Sequence, residues 1–200
     1  MIRRCAVAAA ALFALAAQAV EDPVLMQRGE EQVMGKCFLC HGATGDSSSP
    51  LYPKLAGQNE AYLLKQLRNF KLGQRESNDM RKIVADMDDN DMRAAAHYFS
   101  HQEPSRGKSA YAEMRAVGEK IYREGNAANG LTPCRECHGE TGTGSDVLPR
   151  IAGQHTLYIE TQLTLFEERK RTNDNALMQD IAKRLTTDEI RAVAEFLRAL

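Results

Sequence analysis

The sequence predicts an all-α protein built from two tandem copies of one small domain. Several segments place apolar residues at helical spacing, as Leu63, Leu67 and Phe70 do on one face of a helix. Strand signals are weak, because the chain has no Trp and no run of alternating β-branched residues. An internal repeat, at an offset of about 97 residues, divides the helices into two matching sets.

The repeat consists of four pairs of matching stretches. They are "CFLCHGATG" (37–45) with "CRECHGETG" (134–142), "PKLAGQ" (53–58) with "PRIAGQ" (149–154), "AYLLKQLRNFKLGQR" (61–75) with "LYIETQLTLFEERKR" (157–171), and "MRKIVADMDDNDM" (80–92) with "MQDIAKRLTTDEI" (178–190). A unit of about 95 residues is a whole domain, so we interpret the repeat as a tandem duplication. We predict one domain over 20–100 and another over 111–200, joined by the polar linker 101–110.

Each copy is predicted to contain the same succession of helices. The first leads to the cysteines (24–37 and 111–125), the second follows "AGQ" (59–73 and 155–168), and the last begins at Asp88 and at Thr186. Thr186 and Glu189 form a Thr-x-x-Glu capping box. Asp88 and Asp91 occupy the matching positions in the first copy. The long connections between the helices indicate that something other than protein fills the middle of each domain.

The first 19 residues have the features of a secretory signal peptide. Arg3 and Arg4 precede an apolar run, and the segment 17–19, "AQA", supplies small residues for cleavage. The run is shorter than the ~20 residues that span a membrane. We therefore predict export with removal of 1–19, which also removes Cys5.

Charge and cysteine content exclude some classes of function. The chain has 26 basic and 27 acidic residues, and this balance gives no support to nucleic-acid binding. Without Cys5, four cysteines remain, and an exported protein with four cysteines ordinarily holds two disulfides. Their spacing argues against that interpretation, because a disulfide across two intervening residues closes a very small loop and stabilises little.

All four cysteines belong to two C-x-x-C-H motifs. The motifs consist of Cys37, Cys40 and His41 in the first copy, and of Cys134, Cys137 and His138 in the second. Positions i, i+3 and i+4 share one face of a helical turn. Two thiols and an imidazole on one face match the vinyl groups and the iron of one porphyrin, and C-x-x-C-H is the attachment signature of c-type haem. We predict two covalently bound haem c groups.

Other chemistries explain the motifs less well. A thioredoxin-like redox site requires a βαβ context, which this helical sequence lacks. Structural zinc requires four ligands, so the two cysteine pairs would have to meet across the domains. That arrangement leaves two identically placed histidines without a role.

Methionines are the candidates for the sixth iron ligand. Met178 is the one methionine that follows the second C-x-x-C-H motif, and the repeat aligns it with Met80. Met87 and Met92 instead align with Leu and Ile, as core methionines would. A methionine ligand is typical of electron-transfer haems of raised potential. We predict His41 with Met80, and His138 with Met178, as axial ligands.

Several other polar residues allow two interpretations each. The carbonyls of Pro53 and Pro149 could accept the second N–H of the iron-ligating histidines, or the prolines could simply turn the loop. A recurring set could reach haem propionates or be ordinary solvated residues: Gln58, Gln154, Arg75 and Arg171. We expect His97 and His101 to be surface or linker-contact residues, and His155 to lie at the start of a helix.

Taken together, these motifs resemble cytochrome c4, a di-haem bacterial family of two fused class I cytochrome c domains. The resemblance rests on the paired C-x-x-C-H-G, the two P-x-[LI]-A-G-Q stretches, the "QL" helices, "RTND" (171–174) and "AAAHYFS" (94–100). It covers nearly the whole chain after the signal peptide. It implies two class I cytochrome c-like domains, each wrapped around one covalently bound haem, and His/Met ligation of both irons.

The resemblance carries further expectations. It implies a periplasmic protein, with association to the face of the inner membrane, that delivers electrons towards terminal oxidases or related partners. It supports the proline carbonyls as partners of the histidines, and it implies two haems that face each other across a domain interface. One departure is that "SNDM" before and including Met80 is shorter than "TNDNALM", which ends at Met178. The two iron sites are therefore not expected to be identical.

The leading hypothesis is a periplasmic electron-transfer protein that passes single electrons between respiratory donors and a terminal oxidase or related acceptor. One alternative is the di-haem subunit of a larger oxidoreductase, such as a flavocytochrome c sulfide dehydrogenase. A second alternative is an enzyme such as a peroxidase, or a ligand sensor. A peroxidase and a ligand sensor each need an open coordination position on the iron, and the two matched methionines argue against such a position.

Overall fold

The computed structural model describes residues 22–200, so the predicted signal peptide at 1–19 lies outside the described residues. The first repeat contains α1 (Pro23–Gln32), a π-helical turn (Val33–Cys37), α2 (Phe38–His41), α3 (Glu60–Lys71), α4 (Asn78–Val84) and α5 (Asp89–Ser100). The second contains α6 (Ala112–Glu124), α7 (Arg135–His138), α8 (Thr156–Glu167), α9 (Leu177–Ala182) and α10 (Thr187–Ala199). The prediction of an all-α fold is confirmed.

Local sequence signals account for the long helices of each repeat. The last helix begins with a complete capping box in both copies, from Asp88 and Asp91 in α5 and from Thr186 and Glu189 in α10. Such boxes satisfy backbone N–H groups that a helix leaves without partners. Among residues 22–200, no helix is both long and apolar enough to cross a bilayer.

The first and last helices of each domain cross at a glycine. On α1, a Cβ added at Gly29 would overlap the Ala94 carbonyl of α5. On α6, a Cβ at Gly118 would overlap the Ala192 carbonyl and lie 2.9 Å from the Cβ of Phe196 on α10. The two helix backbones therefore approach each other more closely than any larger residue allows. This crossing closes one side of each domain.

The core lies between this crossing and the middle helix. In the second domain it is one continuous cluster that includes Tyr122, Leu163 and Phe196. In the first domain it is divided into two clusters, one of which contains Met87 and Met92. These two methionines are 1% and 4% exposed, so their prediction as core residues is confirmed.

The P-x-[LI]-A-G-Q stretch connects the domains through a reciprocal pair of glutamine contacts. The Gln58 amide accepts from the N–H of Arg150 (2.7 Å) and donates to its carbonyl (2.8 Å). In the matching contact, the Gln154 amide accepts from the N–H of Lys54 (2.9 Å) and donates to its carbonyl (3.0 Å). Each glutamine is buried and pairs with the backbone of the other domain. The interface is therefore approximately two-fold symmetric.

The next residue of each stretch extends this symmetry. The Asn59 side chain donates to the carbonyls of Thr143 (3.2 Å) and Leu148 (2.6 Å) in the second domain. At the matching position, His155 lies directly before α8 as predicted, and its Nε2–H donates to the Ser47 carbonyl of the first domain at 2.8 Å. The same interface position thus holds an amide in one copy and an imidazole in the other.

The helix crossing predicts a large effect for Gly118→Ala. Its methyl group would overlap the Ala192 carbonyl, and a backbone atom yields only if α6 and α10 separate. We expect a loss of about 1–3 kcal/mol in the free energy of unfolding, as for other overpacked sites. Chemical denaturation followed by circular dichroism measures it.

Gly35→Ala is the matched control, because a Cβ there meets nothing within 4 Å. We expect that variant to be as stable as the parent or slightly more stable, by ~0.5–1 kcal/mol at most. Equal stability of Gly118→Ala and the parent would contradict the close crossing.

The His155 contact predicts a pH-dependent part of the stability. Burial lowers the pKa of His155; the Ser47 carbonyl and Asp46 oppose this effect, whereas Lys54 and Arg198 add to it. The unfolded chain then binds this proton more readily than the folded chain. The stability is fully present above the ordinary histidine pKa of ~6.5, and it decreases as the pH falls below that value.

His155→Asn tests this effect, because Asn59 already occupies the matching position with an amide donor. We expect the variant to remain folded and to lose part of the decrease in unfolding free energy between about pH 7 and pH 5. Denaturation curves of parent and variant at both pH values measure it. Identical pH dependence in the two proteins would exclude the role of His155.

Candidate haem sites

The two C-x-x-C-H motifs occupy equivalent positions in the two domains. In the first, the π-helical turn ends at Cys37 and α2 ends at His41. In the second, Cys134 directly precedes α7, which ends at His138. The following glycine ends each helix with a positive φ, 77° at Gly42 and 79° at Gly139. This backbone conformation explains why glycine follows the histidine in both copies.

Each motif histidine is buried and oriented by a proline carbonyl. His41 Nδ1 lies 2.9 Å from the Pro53 oxygen, and His138 Nδ1 lies 3.0 Å from the Pro149 oxygen. Burial lowers the pKa of both imidazoles, an effect that the proline carbonyls partly offset. Neutral rings that donate from Nδ1 carry their lone pair on Nε2, the nitrogen available to a metal. The carbonyl-acceptor interpretation of the two prolines is confirmed.

The cysteines do not have the properties of a redox or zinc site. The four cysteines among residues 22–200 form no disulfide. Burial raises the pKa of Cys37 and of Cys134 to about 11, whereas reactive cysteines have a lowered pKa. Within the described residues, the group of three metal-ligating side chains with atoms within 4.8 Å includes no cysteine. Free cysteines next in sequence to a buried imidazole with a lone pair on Nε2 fit covalent haem attachment.

Met80 and Met178 lie at matching places, near the starts of α4 and α9. Both are partly buried and pack against the core cluster of their domain. The Met80 N–H donates to the capping Ser77 hydroxyl at 3.3 Å, whereas the Met178 N–H donates to Asp174 at 2.5 Å. Ala176 before α9 has a left-handed φ of 68°. The predicted difference between the two methionine loops is confirmed, and their role as iron ligands stays a prediction.

A second polar cluster lies between the two domains. Each of two arginines donates to a glutamine of its own domain and to a tyrosine of the other domain. The partners are Gln66 and Tyr158 for Arg75, and Gln162 and Tyr62 for Arg171, all at 2.8–2.9 Å. Each guanidinium also covers a phenylalanine ring, at 4.7 Å from the Phe70 centroid and 4.5 Å from the Phe166 centroid. We call these two arginines, two tyrosines and two glutamines the interdomain arginine cluster.

This cluster holds two positive charges, and within residues 22–200 their hydrogen bonds all go to neutral oxygens. Burial would raise the pKa of Tyr158, but the Arg75 and Arg171 charges outweigh burial and lower it. Buried cations are normally paired with an anion. The donor set therefore fits an anionic group at the interface, as the propionates of two haems would supply.

Several expectations about polar residues are corrected. Gln58 and Gln154 are neither solvated nor free for propionates, because both side chains bind the opposite backbone. Arg171 is buried rather than solvated, since it crosses the interface. His97 is also buried, at 6% exposed, and it contacts Glu60 rather than solvent or the linker.

The interdomain role of the tyrosines and glutamines was not predicted. Tyr62 with Tyr158, and Gln66 with Gln162, recur at matching positions of the repeat. The recurrence of polar residues on an otherwise apolar helix face is the sequence signal that indicates a shared polar contact. The repeat alone assigns each of these residues to a helix of its own domain, and it carries no information on which side chains meet across the interface.

Comparison with known proteins agrees with these sites. Residues 26–103 and 116–200 each match the family model for cytochrome c. Cytochrome c4 of Pseudomonas aeruginosa is 40% identical over 168 residues, which cover 82% of this chain and 83% of that protein. A thiosulfate dehydrogenase electron acceptor of Stutzerimonas stutzeri is 33% identical over 196 residues, covering 94% of this chain and 90% of that protein.

The fold agrees as well. The crystal structure of reduced cytochrome c4 from Pseudomonas stutzeri superposes with a TM-score of 0.84 at 36% identity, covering 88% of this chain and 98% of that one. Two cytochrome c segments, each with its own cysteine pair, account for two haem c groups. The chain belongs to the cytochrome c4 family, and it is a di-haem electron carrier.

Proposed function

We propose that this protein is a periplasmic carrier that passes single electrons from a respiratory donor to a terminal oxidase or related acceptor, with both irons ligated by His and Met. The observation that carries the proposal is the duplicated hydrogen bond from a buried imidazole to a proline carbonyl, at 2.9 Å and 3.0 Å. It orients one basic nitrogen per domain beside two thiols. No general acid, base or nucleophile is required for electron transfer.

The site residues divide the work of holding the cofactor. Cys37, Cys40, Cys134 and Cys137 would attach the two haems through thioether bonds. His41 and His138 supply Nε2, and the proline carbonyls raise the basicity of these ligands. Met80 and Met178 would each supply a thioether sulfur as the second protein ligand of the iron in their domain. When bound, haem provides an iron that exchanges one electron between the ferrous and ferric states.

The interdomain arginine cluster supports a shared electrostatic environment. Arg75 and Arg171 would pair with haem propionates, because no carboxylate of the described residues accepts a hydrogen bond from either guanidinium. Each guanidinium is bound by side chains of both domains. A change of charge in one domain would therefore alter the field in the other.

The two attachment motifs present different surfaces, which supports separate partners for donor and acceptor. Between its cysteines the first motif exposes Phe38 and Leu39, the latter 83% exposed. The second has Arg135, in an ion pair of 3.1 Å with Glu140, and Glu136. An apolar face on one domain and a charged face on the other would select different partners. The apolar face is also consistent with association to the inner membrane.

A second candidate function is suggested by the thiosulfate dehydrogenase electron acceptor, which matches 94% of this chain. In that case the donor would be a sulfur-compound dehydrogenase rather than a respiratory complex. Reduction of the purified protein by such a dehydrogenase, or its co-purification with a flavoprotein, would favour a sulfur-oxidising role. Reduction by respiratory membranes alone would favour the first.

The axial ligands predict the response to carbon monoxide. The purified protein should contain two low-spin haems per chain and show no spectral change with carbon monoxide, since both irons are closed. In Met80→Ala or Met178→Ala, we expect one carbon monoxide per chain and a lower potential at that haem, by on the order of 0.1 V or more. Reduced-minus-oxidised spectra and potentiometric titration measure both.

Met87→Leu is the matched control, because Met87 lies in the same domain as Met80 and is a core residue. It should retain two closed haems at unchanged potentials. Carbon monoxide binding to the parent protein would contradict the proposal that both irons have a methionine as their sixth ligand. An unchanged spectrum in Met80→Ala would mean that another side chain ligates that iron.

The arginine cluster predicts a coupled shift in potential. Arg75→Gln or Arg171→Gln removes a positive charge at the interface that favours the ferrous iron, so we expect both haem potentials to fall by on the order of tens of millivolts. Arg115→Gln, on the exposed face of α6, should leave both unchanged. A shift confined to one haem would show that the cluster serves that domain alone.

A further inference from the structure

A third group of metal-ligating side chains lies in the first domain, apart from both C-x-x-C-H motifs. It consists of Glu60, the first residue of α3, and of His97 and His101 at the end of α5. One ligand atom from each of the three lies within 4.8 Å of the others. The electron-carrier function makes no use of these residues.

The two helices hold the three side chains together. His97 Nδ1 lies 2.9 Å from Glu60 Oε2. His97 and His101 are four residues apart, so they share one face of α5, and their ring centroids are 4.2 Å apart. His101 Nδ1 lies 2.9 Å from the His97 carbonyl, so it donates its N–H there, and Nε2 keeps the lone pair.

His97 itself lacks a partner that its surroundings should supply. The side chain is 6% exposed, and its Nε2 is buried with no hydrogen-bond partner among the described residues. If the proton is on Nδ1, Nε2 is left without a partner. If the proton is on Nε2, its N–H has no acceptor and the Nδ1 lone pair faces the Glu60 carboxylate. Unpartnered buried polar atoms are rare, so the described protein groups do not fully satisfy this ring, and the contact that it offers to a cation is the one between Nδ1 and Glu60.

We propose that Glu60, His97 and His101 bind one divalent transition-metal ion, Zn²⁺ or Cu²⁺. Two imidazole nitrogens and a carboxylate oxygen suit both ions, and paired histidines at i and i+4 on a helix are a recurring zinc-binding arrangement. The cation would lie between His97 Nδ1 and Glu60 Oε2, which are now 2.9 Å apart in a hydrogen bond. Water would complete the coordination.

The site would be unique to the first domain. By the alignment of the helix starts, the matching positions in the second domain are Thr156, Glu195 and Ala199. Glu195 is buried and accepts the Ala110 N–H at 2.7 Å. Three metal ligands are therefore present in one copy only, and the expected stoichiometry is one ion per chain.

Binding would also connect three parts of the molecule. Glu60 follows Asn59, whose side chain contacts two carbonyls of the second domain. His101 is the last residue before the segment that leads to α6. A metal ion would hold the start of α3 against the end of α5, and so stabilise the edge of the first domain beside the interface.

The test is calorimetric titration of the chelator-treated holoprotein with Zn²⁺ alone and with Cu²⁺ alone at neutral pH. We expect one saturable ion per chain, reversed by chelator, and a rise in the thermal midpoint as the ion concentration increases. His101→Ala and Glu60→Gln should each weaken binding by at least about tenfold. Haem spectra and circular dichroism establish that both variants are folded.

His155→Asn is the matched control, because it removes the one remaining histidine outside the C-x-x-C-H motifs and this cluster. Its affinity should equal that of the parent. Absence of saturable binding for both ions would overturn the proposal. Equal affinities in the parent, His101→Ala and Glu60→Gln would overturn it as well, since the ion would then lie elsewhere.

Discussion

The hydrogen bond from each motif histidine to a proline carbonyl is the contact on which the rest of the structure depends. It fixes the ring, the protonated nitrogen and the direction of the remaining lone pair at once. The acceptor belongs to the P-x-[LI]-A-G-Q stretch, and every later residue of that stretch has a further role. The alanines, Ala56 and Ala152, are buried. The N–H groups of Gly57 and Gly153 donate to the last helix of the same domain, at Phe99 and Leu197.

The same stretch also joins the domains. The residue after each proline exchanges two hydrogen bonds with a glutamine of the other copy. The group that orients one histidine is therefore adjacent to a backbone amide held by the opposite domain. Separation of the domains would release both ends of this connection, and it would expose the two arginines as well. The contacts of the interface and the contacts that orient the motif histidines are thus adjacent along the chain, and loss of the interface would disturb both.

Much of this arrangement could be predicted from the sequence. Periodicity and capping boxes predicted the first, middle and last helices of each domain, but not the short helices α4 and α9. The duplicated C-x-x-C-H motif predicted the cofactor, because local spacing determines which side chains share a helical face. The duplication also separated Met80 from Met87 and Met92. Contacts between the copies could not be predicted in this way. Gln58 and Arg171 depend on how two folded domains meet, and no local pattern encodes that geometry.

The burial of His97 was missed for a related reason. A histidine near the end of a helix, without a counterpart in the other copy, is typical of the surface. Its environment depends on Glu60, which is far away in sequence and reaches it only because α3 packs against α5. Residues that differ between the two copies, such as His97, can give one domain a property that the other lacks.

That asymmetry has a consequence for electron transfer. Two identical haem sites would share an electron equally and give it no direction. Here the methionine loops differ in their caps, since Ser77 caps one and Asp174 binds the backbone in the other. The attachment faces also differ, apolar at Leu39 and charged at Arg135. On the proposed function, the arginines of the interface would place both irons in one electrostatic field, while these local differences would separate their potentials and their partners. A chain that kept the residues of the shared interface and varied the methionine loops would give electron transfer a direction, and the two haem sites would still be coupled electrostatically.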